Sequence, residues 1–166
     1  MINVLVTGAG GGVGQGVIKS LKMIKDIDIK VVAADMSETA TGLYAADIAY
    51  LVDRCDSDEY LETLSKIFQN ESIDFYIPGT DVELEFCAIN KQLIMDKFNV
   101  HTIISSKEVI EICDNKYKTS SFLKDHGFNE EEVNKLIRRD YVKDYKNIFC
   151  FSSSYCWCCN RNVDCT

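Results

Sequence analysis

Val4-Leu5-Val6-Thr7-Gly8-Ala9-Gly10-Gly11-Gly12-Val13-Gly14-Gln15-Gly16 is the stretch whose reading decides the fold. A short apolar run ends in a burst of glycine, and helical spacing follows. That pattern predicts a buried strand, a tight turn and an amphipathic helix with Val13, Val17, Leu21 and Ile24 on one face. Glycine lets the backbone take positive φ and lets a ligand or another element come close. The first amides of a helix lack a partner inside it and carry partial positive charge, so such a turn suits a phosphate or a carboxylate. Gly8, Gly11 and Gly14 fit the spacing G-x-x-G-x-x-G, and Gly8, Gly10, Gly11, Gly12 and Gly14 are together the candidate cofactor-binding positions of the turn. The spacing specifies local structure better than ligand identity, because a turn packed for its own sake uses glycine in the same way.

Working outward, apolar runs recur at Ile29 to Ala34, Ile48 to Val52, Ile73 to Ile77 and Val100 to Ile104. Amphipathic stretches lie between them, opened by pairs that read as capping boxes: Asp56 with Glu59, Thr80 with Glu83, Ser105 with Glu108. A further helix is expected from Tyr117 to Lys124, stopped near Gly127. Strands alternating with helices predict an α/β domain over residues 1–128, a Rossmann-like, doubly wound, mostly parallel five-stranded sheet in the order 3-2-1-4-5. Ligands of such sheets sit at the carboxyl ends of the strands, so the glycine turn, Asp35 and Gly79 to Asp81 are expected on one rim. Beyond this domain, residues 129–147 read as an amphipathic helix headed by Asn129 and Glu132. Residues 148–166 read as an irregular, cysteine-rich tail, expected to be disordered.

With 166 residues, one main domain is expected. A net charge of −8 argues against a nucleic-acid partner, whose phosphates would be repelled. The chain is 46% hydrophobic and 27% charged, and no apolar run has the length of a membrane span, so a soluble, cytoplasmic protein without a membrane partner is expected. Cys55, Cys87 and Cys113 stand singly among core-like residues and read as buried thiols. Cys150, Cys156, Cys158, Cys159 and Cys165 crowd the tail, but paired-knuckle spacing is missing, so no metal site is expected.

Three readings of the glycine turn can be weighed. A P-loop needs lysine and a hydroxyl residue after its last glycine, where Val17 and Ile18 stand. A dinucleotide site wants an acid after the second strand, and Asp35 is suitably placed, although a solvated strand-end aspartate explains it equally well. A nicotinamide-dependent epimerase or reductase also begins with a Thr-Gly-x-x-Gly turn. Its tyrosine and lysine four positions apart are absent, however: Tyr117 precedes Ser121 and Tyr141 precedes Tyr145.

The third reading covers more of the chain. Val4 to Gly11, then Gly42-Leu43-Tyr44-Ala45-Ala46-Asp47, then Ile77-Pro78-Gly79-Thr80-Asp81-Val82-Glu83-Leu84, then Asp114-Asn115-Lys116-Tyr117-Lys118-Thr119 with Phe122-Leu123 and Gly127, in this order and spacing, resemble the N-terminal domain of ATP-grasp ligases of the carbamoyl-phosphate synthase type. The resemblance implies a pre-ATP-grasp domain forming one wall of an active site in which ATP and magnesium activate a carboxylate as an acyl phosphate for attack by an amine. It implies that Lys116 reaches nucleotide phosphate. Asp35, Thr80, Asp81 and Glu83 are the candidate substrate-binding residues, the two acids suited to a cationic amine. The plainer reading of Thr80, Asp81 and Glu83 is helix capping and dipole complementation. Tyr44 and Asp47 read as loop packing and strand-start residues. The family's ATP-binding domain is not recognisable after Phe128, so the chain is expected to be truncated, to need no cofactor by itself, and to be inactive alone. Its expected partners are a small carboxylate or amine, and a separate ATP-grasp domain or a second copy. A non-catalytic module binding a small anion at the same rim is the other reading.

Overall fold

In the computed structural model, which describes residues 1–129, strands β1 (Ile2–Val6), β2 (Ile29–Asp35), β3 (Ile48–Leu51), β4 (Phe75–Ile77) and β5 (His101–Thr102) form one sheet in the order β3-β2-β1-β4-β5. All neighbours are parallel, with Ile2 opposite Ile29 and Val6 opposite both Ala33 and Ile77. The expected fold class and strand order are found. Parallel neighbours need crossovers. Helices α1 (Gly12–Met23), α2 (Tyr60–Glu71) and α3 (Leu84–Phe98) supply three of them, and the β2–β3 link carries only a 3₁₀ turn, Thr41–Ala45. Helix α4 (Lys107–Asp114) follows β5.

Successive strand residues face opposite sides of the sheet. Leu5, Val32, Ala34 and Tyr76 pack with Tyr60, Leu64, Ile67 and Phe68 of α2 and with Cys87 and Ile94 of α3. Val4, Val6, Val31 and Ala33 pack on the other side with Ile18 of α1 and with Ala40 and Leu43 of the β2–β3 link. Both faces are covered, which is why β1 and β2 read as unbroken apolar runs.

The chain divides into two compact units, Met1–Glu111 and Ile112–Thr166, and the whole sheet belongs to the first. Helix α5 (Lys116–Asp125) lies in the second, headed by Asn115, whose side-chain oxygen accepts the N–H groups of Tyr117 and Lys118 at 3.0 and 3.2 Å.

Several local expectations are corrected. The buried stripe of α1 runs through Gly14 and Ile18, with Val17 and Leu21 packed beside them. Val13 is 65% exposed and Ile24, just past the helix, is exposed too. The helix meets the turn through Gly14, and that contact turns Val13 outward. Helix α2 begins at Tyr60, not at an Asp56–Glu59 box, because Asp56 takes two hydrogen bonds from the Arg54 guanidinium, each at 3.0 Å. A charged donor fork is a stronger partner than a backbone amide. Helix α3 begins at Leu84 after a 3₁₀ turn, Asp81–Glu83, and Thr80 does not cap it: its hydroxyl donates to Glu83 Oε2 at 2.7 Å. At α4 it is Ser106, not Ser105, whose oxygen accepts the Val109 N–H, at 3.4 Å. Of the three thiols only Cys87 is buried; Cys55 is half-buried and Cys113 exposed. The expected helix over 129–147, apart from Asn129, and the tail over 148–166 lie outside the described residues.

Candidate functional site

The site is built by glycines that touch one another. Gly8 lies in the left-handed region at φ +59, and a Cβ there would come within 2.4 Å of Thr80 Cγ2. A Cβ on Gly14 would lie 2.3 Å from the Gly8 carbonyl oxygen. One on Gly79 would lie 2.2 Å from the Thr7 carbonyl oxygen and 3.1 Å from Gly14 Cα. Three segments therefore meet backbone to backbone: the turn after β1, the first turn of α1 and the loop after β4. No side chain larger than hydrogen fits between them.

The other glycines of the turn differ. Gly10 donates its N–H to Asp35 Oδ2 at 2.7 Å, while Asp35 Oδ1 accepts the Ser37 N–H at 2.9 Å. Gly11 donates to the Gly8 carbonyl at 3.0 Å and precedes α1 with no side chain to cap it. Gly12 opens to space, with nothing within 4 Å of a Cβ built on it. The first turn of α1 thus presents its backbone at the rim without a side-chain cap, where the helix dipole favours an anion.

Asp35 touches Gly10, Thr80 touches Gly8, and Glu83 bonds Thr80, so the structure gathers these three candidates around the turn. Asp81 is exposed in the 3₁₀ turn. Lys116 lies in the second unit as the first residue of α5. Asp47 accepts the Val31 N–H at 2.8 Å and pairs with Lys22, in keeping with a strand-start role. Tyr44 does not pack its loop; it is exposed, its hydroxyl donates to the Glu38 carbonyl at 2.9 Å, and Leu43 fills the core instead.

Glu83 is only 4% exposed and is the acceptor of a buried network. Oε1 accepts the Tyr60 hydroxyl at 2.5 Å and the Tyr76 hydroxyl at 3.5 Å. The Tyr76 oxygen in turn accepts from Thr7 Oγ1 at 3.5 Å and from Cys87 Sγ at 3.4 Å. Burial, and then the Glu83 charge, pushes the Tyr60 phenol above its usual range. Burial likewise raises Tyr76 and pushes the Cys87 thiol up to about 12. All three remain protonated at neutral pH and serve as donors. Sequence reasoning missed Thr7, Tyr60 and Tyr76. The available signal was a tyrosine inside an apolar strand, whose hydroxyl needs a partner once buried.

A chain of exposed apolar residues follows the carboxyl ends of the strands: Val13 after β1, Met36 after β2, Leu51 ending β3, Val82 after β4 and Ile103 after β5.

Fold and turn together define a Rossmann-like domain with an uncapped helix start at its switch point. The chain belongs to the PylC-like N-terminal domain family, whose profile matches residues 4–104. Among solved structures it is similar to the biotin carboxylase domain of Hydrogenobacter thermophilus 2-oxoglutarate carboxylase, at TM-score 0.55 and 21% identity over 83% of this chain and 32% of that one. It is similar to the biotin carboxylase subunit of a pyruvate carboxylase, at TM-score 0.55 and 19% identity over 84% and 33%. N5-carboxyaminoimidazole synthetase from Staphylococcus aureus gives TM-score 0.55 and 17% identity over 83% and 36%. The fold is that of the N-terminal domain of ATP-grasp enzymes. The chain spans about a third of the length of these structures. No curated protein matches it in sequence.

Proposed function

We propose that this chain forms the N-terminal wall of the active site of an ATP-grasp carboxylate–amine ligase of the carbamoyl-phosphate synthase type, and that it is inactive alone. The observation that carries the reading is the backbone contact of Gly8, Gly14 and Gly79, which leaves the first turn of α1 uncapped and Gly12 open at the rim. An acyl phosphate is anionic, and a helix start stabilises such charge without a side chain. In this reading Gly12 and the amides that follow it in the first turn of α1 face the anion, Gly8, Gly10, Gly11 and Gly14 hold the turn closed, and Asp81 meets a cationic amine. Asp35, Thr80 and Glu83 shape the cradle, and Lys116, in the second unit, is assigned to nucleotide phosphate by the family resemblance alone. ATP and magnesium supply the activation when bound, and an ATP-grasp domain brings them. Among the described residues no three His, Cys, Asp or Glu side chains come together to hold a metal ion. The exposed apolar residues along the rim support a covering domain or second copy there.

The nicotinamide reading is weaker. The β2–β3 link packs on the turn so closely that a Cβ on Gly42 would lie 2.1 Å from the Ala9 carbonyl oxygen. A cytoplasmic location remains part of the proposal; among the described residues no helix is long and apolar enough to cross a membrane.

Titration of the 166-residue chain with inorganic phosphate, followed by amide NMR, tests the site. Shifts should centre on residues 10–14, and shifts elsewhere or none would overturn it. Magnesium-dependent ATP turnover by the chain, lost on Lys116→Ala, would refute inactivity.

A further inference from the structure

We propose that Glu83 is a positioning residue, whose buried carboxylate holds the Gly79–Thr80 loop against the glycine turn and so sets the width of the anion cradle. This rests on the reading of the turn given above. The donors around Glu83 run one way. Thr7 and Cys87 donate to Tyr76, and Tyr76, Tyr60 and Thr80 donate to the carboxylate. Glu83 accepts at both oxygens, from Tyr60 and Tyr76 at Oε1 and from Thr80 at Oε2. Among the described residues it forms no ion pair with a lysine or arginine.

The network reaches both walls of the cradle. Thr7 is the residue before Gly8, and its carbonyl is the atom that forbids a side chain at Gly79. Thr80 lies on the opposite wall, with its methyl in the space a Gly8 side chain would need. Tyr60 anchors the carboxylate to α2, and the position itself lies one residue before α3. Burying a carboxylate with no cation beside it costs desolvation, so stability alone does not call for such a group. Placed between the two loops of the rim, the charge fixes the hydroxyl of Thr80, and through it the loop that faces the start of α1.

The test uses the full 166-residue chain. Tyr60→Phe and Thr80→Val each remove one donor while keeping bulk, and Glu83→Gln removes the charge. Ile67→Val, in the same core, is the control: it should lower Tm without touching the carboxylate. Inorganic phosphate affinity and amide exchange at Gly8, Gly79 and Thr80 are measured on each. Tyr60→Phe and Thr80→Val should weaken phosphate by about tenfold, the equilibrium equivalent of one charge-assisted hydrogen bond, and speed exchange in both loops. The control should keep native affinity. Variants that bind phosphate as the native chain does, with unchanged exchange, would overturn the role of Glu83 and leave the site reading standing. If the native chain itself takes no phosphate, the site reading fails and this inference falls with it. Should Glu83→Gln not fold, the other two variants decide.

Discussion

Gly14 stands against Gly8 so closely that a Cβ on it would lie 2.3 Å from the Gly8 carbonyl oxygen, whereas a Cβ on Gly16, on the same helix, would meet nothing within 4 Å. The obstructing atom at Gly14 belongs to the backbone of a turn that is itself held by hydrogen bonds, from the Gly11 N–H to the Gly8 carbonyl at 3.0 Å and from the Ala9 N–H to the Ala34 carbonyl at 3.3 Å. It has nowhere to retreat. Gly14→Ala should therefore destabilise the chain by about 3 kcal/mol, at the upper end for overpacking. Gly16→Ala should stabilise it by about 1 kcal/mol, the helix propensity difference. Urea unfolding of the two variants measures both signs, and equal effects would show that the turn relaxes.

The ion pair of Lys30 with Glu71 sets a pH dependence. Glu71 accepts Lys30 Nζ at 2.6 Å and the Tyr50 hydroxyl at 2.5 Å, tying α2 to β2 and β3. Lys30 first, and Tyr50 second, hold its carboxyl below the usual 4.5. A group depressed on folding contributes stability above its unfolded value and loses it as pH falls through the folded one. Asp47, lowered by Lys22 and then by the Val31 amide, acts in the same direction. The urea midpoint should fall below about pH 5, and less steeply in Glu71→Gln, which at neutral pH should be about 1 kcal/mol less stable than the native chain. An identical slope in both proteins would exclude Glu71 as a source.

These two regions show how far the residues could be read before the structure. The unbroken apolar runs of β1 and β2 specify a parallel sheet covered on both faces, and the strand order follows. What periodicity could not specify was which of two adjacent faces of α1 turns inward, because that was decided by the backbone contact of Gly14 with the Gly8 turn. Thr80 and Glu83 illustrate the same limit. Their spacing fits a capping box, but a capping box is local, and the Tyr60 hydroxyl that claims Glu83 comes from another helix 23 positions away. Short polar residues near helix starts have several partners within reach, and only tertiary packing selects one.

Thiol reactivity separates the cysteines of the described residues. Burial raises the Cys55 thiol, whose Sγ donates to the Val82 carbonyl at 3.4 Å, and pushes Cys87 up to about 12. The thiolate is the nucleophile, so a raised value and burial both slow alkylation. Iodoacetamide on the folded chain, read by peptide mass mapping, should modify Cys113 first and Cys55 later. Cys87 should react only after unfolding. Early modification of Cys87 in the folded chain would contradict the buried network around Tyr76.

Asp35 offers the sharpest separation between an internal strut and a ribose contact. As a strut it holds Gly10 through Oδ2 and Ser37 through Oδ1, so Asp35→Ala leaves two backbone N–H groups without their acceptor. The expected loss is about 2 kcal/mol, in the range for a truncated charged acceptor. A carboxylate has lone pairs to spare, so the amides alone would not keep a ribose away. The obstacle is steric: Ala40 is buried so near the turn that a Cβ on Gly10 would lie 3.0 Å from its Cβ, and Gly42 backs onto Ala9. The native chain should therefore show no saturable NADH or NADPH binding by fluorescence titration, and Asp35→Ala should lose stability without changing that result. Micromolar NADH binding by the native chain, abolished in Asp35→Ala, would mean that the β2–β3 link moves aside, and would restore the nicotinamide reading of the turn.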